Sequence, residues 1–237
     1  VITKNNLILS GGWSHNFAAS VPDVVETLNA VGFVSDVAFD ISESIELLES
    51  KSYELITVLA CWFQMRDPRY SQQNREIWAR TTTQQWREAM LRQRDNGVGL
   101  MAMHTATLCF DDWSEWPKWI GGSWDWKKSS HPPLGELDIA PCSDHVIVAG
   151  VEPFVIRDEM YSNLLRDDSS QVILQSNDGN STQPTLWVSE SKKGRVVYNA
   201  LGHDLVSVSH STHRQLIKRS ALWACHTSDF DIQAVTL

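Results

Sequence analysis

The chain has 237 residues, 42% of them hydrophobic, a formal net charge of −9 and a pI near 5.3. That length is enough for one α/β domain with a full core, so a single domain over 1–237 is expected. The acidic balance, with no dense Lys/Arg run, argues against nucleic acid and against an anionic membrane surface as partners, since both call for a positive field.

No apolar run approaches a membrane span, and the first strand-like segment starts too close to the N-terminus to leave room for a signal peptide, so a cytoplasmic protein is expected. "NLILS", residues 6–10, reads as a short buried strand, and "GGWSHN" as its glycine-rich exit loop. A helix is predicted from Ser20 as N-cap, with Pro22 in its first turn, Val21, Val24, Val25 and Leu28 on one face, and Gly32 as its stop. "FVSDVAF" follows as a strand, Ser42 as the cap of a second helix, and "YELITVLA" as a strong buried strand ending at Ala60. This alternation indicates a right-handed parallel α/β sheet.

Residues 61–80 show no clear period and read as an excursion over the strand ends. A helix with Trp86, Ala89 and Met90 inward is expected over 82–94, and "VGLMAM" then forms a strand that turns sharply at His104 into helix-forming residues. Residues 111–133 are irregular and hold five of the 11 tryptophans, which suggests a loop-rich, Trp-rich lid. "GELDIA", "HVIVAG", "PFVIRDEMY", "QVILQ", "PTLWVSE" and "RVVYNALGH" are strand candidates without helices between them, so this half is expected to be more antiparallel. A last helix spans about 210–225, with Leu216, Ile217, Ser220, Ala221 and Ala224 on one side and His210 and His213 solvated at its start.

Cys61, Cys109, Cys142 and Cys225 are far apart and form no CxxC pair, so free buried thiols are expected. Ligands of open parallel sheets bind outside the carboxyl ends of the strands, where strand order reverses. His15, His104 and the His203-Asp204 pair all fall at such ends. Glu159 and Tyr161, two apart at the end of an apolar strand, face the same way. These positions nominate His104, Glu159, His203 and His15 as catalytic. Trp13, His131, Tyr161, Trp187 and Asp204 are candidates for substrate binding. His145 is expected to cap or end a strand.

The series "GLMAMH", "WIGGSW…HPP", "DHVIVAGVEPFVIRDEMY", "PTLWVSE", "KKGRVVYNALGH" and "LIKRSALWAC" resembles the trehalose-utilisation (ThuA-like) family of the class I glutamine-amidotransferase-like superfamily. The most specific elements are the Gly99…His104 corner, Asp-Glu-x-Tyr at 158–161, and Gly194…His203. The resemblance implies a flavodoxin-like α/β sandwich of three layers around a mainly parallel sheet. It also implies a site shared by His15, His104, Glu159 and His203, and a small-molecule carbohydrate as substrate, since members are associated with sugar and disaccharide catabolism, often alongside sugar dehydrogenases that produce keto-sugars. "MHTATLCF" is bulkier than the family's usual corner, and the 61–80 excursion is distinctive.

A glutamine amidotransferase needs a thiolate at this corner to form its acyl-enzyme. With His104 there, amide hydrolysis by that route is excluded, and Cys109 is too far along the chain to substitute. Two chemistries remain open. The histidines and Glu159 can act as acid and base on a sugar or keto-glycoside, in a hydrolase, lyase or isomerase. Alternatively His15, His104 and His203 bind a divalent metal ion that polarises a substrate oxygen or activates water. The rival of another class is a non-catalytic carbohydrate-binding or sensing module, and a homo-oligomer is compatible with either.

Overall fold

The computed structural model describes residues 3–191 and 193–237. In its first half β1 (Lys4–Gly12), α1 (Phe17–Asn29), β2 (Phe33–Ala38), α2 (Ile41–Ser50) and β3 (Leu55–Cys61) alternate. Then come α3 (Gln72–Trp78), α4 (Gln84–Asp95) and β4 (Gly99–Met103), which passes at His104 into a single 3-10 turn, His104–Thr107. The rest comprises α5 (Glu115–Ile120), β5 (Gly122–Ser123), β6 (Gly135–Pro141), β7 (Phe154–Asp158), β8 (Leu165–Arg166), β9 (Gln171–Asn177), β10 (Thr182–Ser191), β11 (Gly194–Asn199), α6 (Leu205–Val208), α7 (Ser211–Ala224) and α8 (Asp229–Gln233).

The main sheet has nine strands in the order β2-β1-β3-β4-β11-β10-β9-β6-β7. β1 to β4 and β11 are mutually parallel, whereas β10, β9, β6 and β7 join antiparallel, one after another. Two reversals restore direction each time, so β9 and β7 again run with β4 and β11. The strands that carry His15, His104, His203 and Glu159 therefore all release their chain at one edge.

Period-2 alternation assigns the two faces of the sheet. Leu7, Leu9, Ile56, Val58, Leu100 and Ala102 point to a layer with Leu48, Trp86, Ala89 and Met90 of α2 and α4. Ile8, Leu55, Leu59, Met101 and Met103 point to the other, under Val21, Val24 and Leu28 of α1 and Leu216, Ile217 and Ala221 of α7. Strands buried on both faces need continuous apolar runs, which is why β3 and β4 read that way. Gly99 is required by proximity: a Cβ there would lie 2.6 Å from the Ala224 carbonyl oxygen on α7.

Several local expectations change. α1 begins at Phe17 after Asn16, so Ser20 lies inside it and Pro22 beyond its first turn. The α2 cap is Asp40, which accepts from the Ser42 amide. "HVIVAG" is no strand: Val146–Val148 form a 3-10 turn whose first amides need a partner, and His145 supplies one by accepting from Ile147. His213 is not solvated but fully buried, bonded to Ser207 and Asn199. Of the cysteines, Cys61 and Cys109 are buried, Cys142 is exposed and Cys225 lies between. Trp113, Trp116 and Trp119 do not cover the sheet edge; they pack into the α4 layer around Phe110 and Trp86.

Candidate active site

His104 holds the corner after β4 with φ +47°, a left-handed conformation that side-chain-bearing residues seldom adopt and that costs about 1–3 kcal/mol. Buried bonds hold it there. The Tyr198 hydroxyl donates to the His104 carbonyl at 2.8 Å, and the Thr105 hydroxyl donates to the Ala60 carbonyl at 2.6 Å. The ring itself is fully buried and its Nδ1 lies 2.8 Å from the Ala200 carbonyl oxygen.

Around His104 Nε2 the other nominated groups assemble. His15 Nε2 is 3.2 Å away, Glu159 Oε2 3.4 Å and the Tyr161 hydroxyl 3.1 Å, and the Tyr161 ring stacks on the imidazole with centroids 4.6 Å apart. His203 Nδ1 lies 3.2 Å from the same carboxylate oxygen, and His131 Nδ1 3.4 Å from its partner Oε1. One ligand atom each from His15, His104, Glu159 and His203 fits within 4.8 Å of the others, so among the described residues these four can share a metal ion.

Burial, and then the neighbouring His104, push the His15 pKa down to about 4, so its ring is neutral at neutral pH. Burial acts to raise the Glu159 carboxyl, yet the imidazoles of His104 and His203 overcome it and hold the group well below the usual carboxylate range. The same contact raises His203. Burial pushes the Tyr161 hydroxyl far up and the Cys61 thiol to about 12, so both stay protonated. Cys109, likewise raised by burial, donates to the Ala60 carbonyl and has no role as a nucleophile.

Through His15, Glu159 and Tyr161 the cluster reaches a cavity of ≈ 120 Å³ at the carboxyl ends of β1, β3 and β4, whose lining does not include His104 or His203. His15, Thr105, Glu159 and Tyr161 line its polar end, with Trp13, Phe63, Tyr70, Trp124 and Trp126 as an aromatic wall. Phe63 and Trp126 stack at 5.7 Å, Tyr70 meets Trp13 edge-on at 6.2 Å, and Arg69 lies 5.8 Å over Trp126. A larger hollow of ≈ 660 Å³ lies beside α7 and α8, but of its two charged side chains, Glu152 and Arg219, the arginine is committed to the carbonyls of Val235, Ile147 and Ala149. The smaller cavity is the one with chemistry at its end.

A sequence model of the family described as ThuA, trehalose utilisation, matches residues 5–224. The chain belongs to the ThuA family. Two ThuA-like proteins share its fold. One, from Parabacteroides merdae ATCC 43184, is 17% identical with a TM-score of 0.75 over 94% of this chain and 90% of that one. The other, from Bacteroides uniformis ATCC 8492, is 18% identical with a TM-score of 0.65 over 96% and 95%. A cytoplasmic protein from Salmonella typhimurium LT2 follows at 12% identity and 0.59 over 98% and 100%. None of the curated proteins compared is similar in sequence.

In this ThuA chain the structure brings together His15, His104, Glu159, His203, Tyr161, His131 and Trp13. Two nominated residues lie elsewhere. Trp187 is core: it stacks on Tyr198 at 4.1 Å and donates its indole N–H to the Ile120 carbonyl, because its position on β10 faces the α5 layer. Asp204 caps α6 through the Ser207 amide and pairs with Arg157. Asp158 was missed. Fully buried, it accepts from the amides of Glu159 at 2.7 Å, Gly202 at 2.8 Å and His203 at 3.4 Å, and from the Ser207 hydroxyl. It thus ties the end of β7 to the loop after β11, fixing two members of the cluster. Its place in the Asp-Glu-x-Tyr motif was the available signal. Trp124 and Trp126, from the expected Trp-rich segment, do line the cavity, whereas Phe63 and Tyr70 have no sequence signal for that place because aromatic residues in loops carry no periodic signature.

Proposed function

We propose that the protein is an enzyme of sugar or disaccharide catabolism that performs polar chemistry at a sugar or keto-glycoside carbon, of hydrolase, lyase or isomerase type. The observation that carries this reading is the meeting of three imidazoles and one ionised carboxylate at the end of an aromatic-walled cavity. The family's link to trehalose utilisation supports the substrate class. The description of the Salmonella relative as cytoplasmic supports a cytoplasmic setting.

A sugar ring has apolar C–H faces and a polar edge, and the cavity is divided in the same way. Trp13, Phe63, Tyr70 and Trp126 offer flat surfaces for the faces. At the other end Glu159 is ionised and can accept hydrogen bonds from water or a sugar hydroxyl and stabilise positive charge, while the protonated Tyr161 hydroxyl can donate to an oxygen that gains charge. The neutral imidazole of His15 contributes a lone pair. An acyl-enzyme route has no nucleophile here, since His104 occupies the corner and both nearby thiols stay protonated.

Incubation of the protein and of His104→Ala with a panel of disaccharides and their keto forms tests this. We expect turnover by the natural protein, a loss of at least about 10²-fold in kcat in the variant, and partial retention of sugar affinity. Sugar binding without any product, abolished by Trp126→Ala and indifferent to His104→Ala, would instead identify a binding module.

A further inference from the structure

We propose that His15, His104, Glu159 and His203 hold a divalent transition-metal cation of the zinc class at the inner end of the cavity. A carbonyl oxygen can only accept, so the contacts of His15 Nδ1 to the Trp13 carbonyl at 3.0 Å and of His104 Nδ1 to the Ala200 carbonyl at 2.8 Å put a hydrogen on each Nδ1. In the neutral rings both Nε2 atoms are then lone pairs. They face each other at 3.2 Å, and the Glu159 carboxylate oxygen lies 3.4 Å from one of them. Acceptors packed this closely repel unless a positive charge sits among them.

The Tyr161 hydroxyl has a single hydrogen and, 3.1 Å from His104 Nε2, can satisfy that lone pair alone. His203 adds a further donor atom to the crowd. Its Nδ1 is buried and only 3.2 Å from Glu159 Oε2, yet it makes no aligned hydrogen bond. Short separation without alignment is what atoms aimed at a common centre produce, as opposed to atoms aimed at one another. A bridging proton would relieve one pair; a cation relieves all four groups together.

Three of the six ligand-atom separations match those around a small tetrahedral ion, and all six lie within 4.8 Å. Ligand bonds of about 2.0–2.1 Å place neighbouring ligand atoms about 3.3–3.4 Å apart. The three close separations here are 3.2, 3.4 and 3.2 Å. Three imidazole nitrogens and one carboxylate oxygen favour zinc or a neighbouring transition metal over calcium or magnesium, which prefer oxygen shells. The outer shell also fits, because the Trp13 and Ala200 carbonyls fix the two tautomers and His131 sits at the second oxygen of Glu159. The polar end of the cavity opens onto His15 and Glu159, so a sugar oxygen or water can approach the ion as an added ligand. Such an ion would polarise that oxygen, leaving Tyr161 and His131 as proton carriers beside it.

Metal binding is measured without any sugar, so the outcome is separable from that of the enzymatic reading. The full chain is stripped with a chelator, titrated with ZnCl2 by calorimetry, and titrated with CoCl2 while visible absorption is recorded. We expect one Zn²⁺ per chain, a Kd on the order of a micromolar or tighter, and intense Co²⁺ bands of four-coordinate type. Glu159→Gln and His15→Ala should each weaken binding by about 100-fold or more, and the exposed His226→Ala should leave it unchanged. The stripped variants are first compared with the stripped natural chain by circular dichroism, and the cobalt spectrum needs no variant. Absence of stoichiometric binding, undiminished affinity in Glu159→Gln, or weak six-coordinate cobalt bands would each overturn the assignment.

Discussion

The carboxylate of Asp158 accepts from the backbone amide of Gly202 at 2.8 Å, joining the end of β7 to the loop after β11 although three strands of the sheet stand between them. The bond holds the loop after β11 against the end of β7, which keeps Glu159 beside His203. Asp158→Asn replaces one accepting oxygen with a donor among backbone N–H groups. A loss of about 1–3 kcal/mol is expected, lowering Tm by about 2–4 °C for each kcal/mol. Turnover should fall further than stability explains, because Glu159 and His203 lose their shared anchor. Thermal melts and kinetics on the same preparation check this, and a variant with unaltered kcat would refute the positioning role.

Trp126 and Trp187 should respond in opposite ways. Trp126→Ala removes part of the cavity wall and is expected to weaken sugar binding about tenfold with little change in melting temperature. Trp187→Ala opens the core under α5 and should cost about 3–5 kcal/mol. Calorimetric sugar titrations and denaturant melts of the two variants separate the cases, and equal effects on affinity would contradict the division.

Gly99→Ala should destabilise through contact alone. The added methyl meets the Ala224 carbonyl at 2.6 Å, and the β4–α7 packing must shift, at about 1–3 kcal/mol. Because β4 ends at His104, kcat is expected to drop as well. Denaturant midpoints that match the natural chain would show that α7 can move freely away from the sheet.

Stability should decline on mild acidification. Burial lowers His213, with the Ser207 carbonyl opposing in part, and burial also lowers His210 and His145. A group depressed in the folded state binds more protons once unfolded, so its contribution is complete above the unfolded value of about 6.5 and is lost as pH falls from there through its lower folded value. His203, raised by Glu159, has the opposite sign and offsets part of the loss. Melting temperatures should be nearly level above pH of about 7 and fall below about 6.5, less steeply in His213→Gln. Parallel curves for the two proteins would assign the proton uptake elsewhere.

Continuous apolar runs identified β3 and β4, and spacing identified α4 and α7, because burial on both faces or on one stripe leaves a local pattern. Histidines just past strand ends could be nominated from order alone, since parallel strands release their chains at one edge. The caps shifted by a few residues, as with Asn16 against Ser20, because several polar residues in a row can each cap a helix.

The sequence by itself determined the parallel α/β core, the family resemblance and the four nominated groups, all of which rest on local periodicity or on motifs. Only tertiary structure decided that those groups meet within 4.8 Å, that Trp187 lies in the core while Trp126 lines the cavity, and that Asp158 ties the cluster together. The physical reason is separation along the chain. His15 and His104 stand 89 residues apart, and the facing of their lone pairs follows from carbonyls on still other segments, which no local pattern encodes.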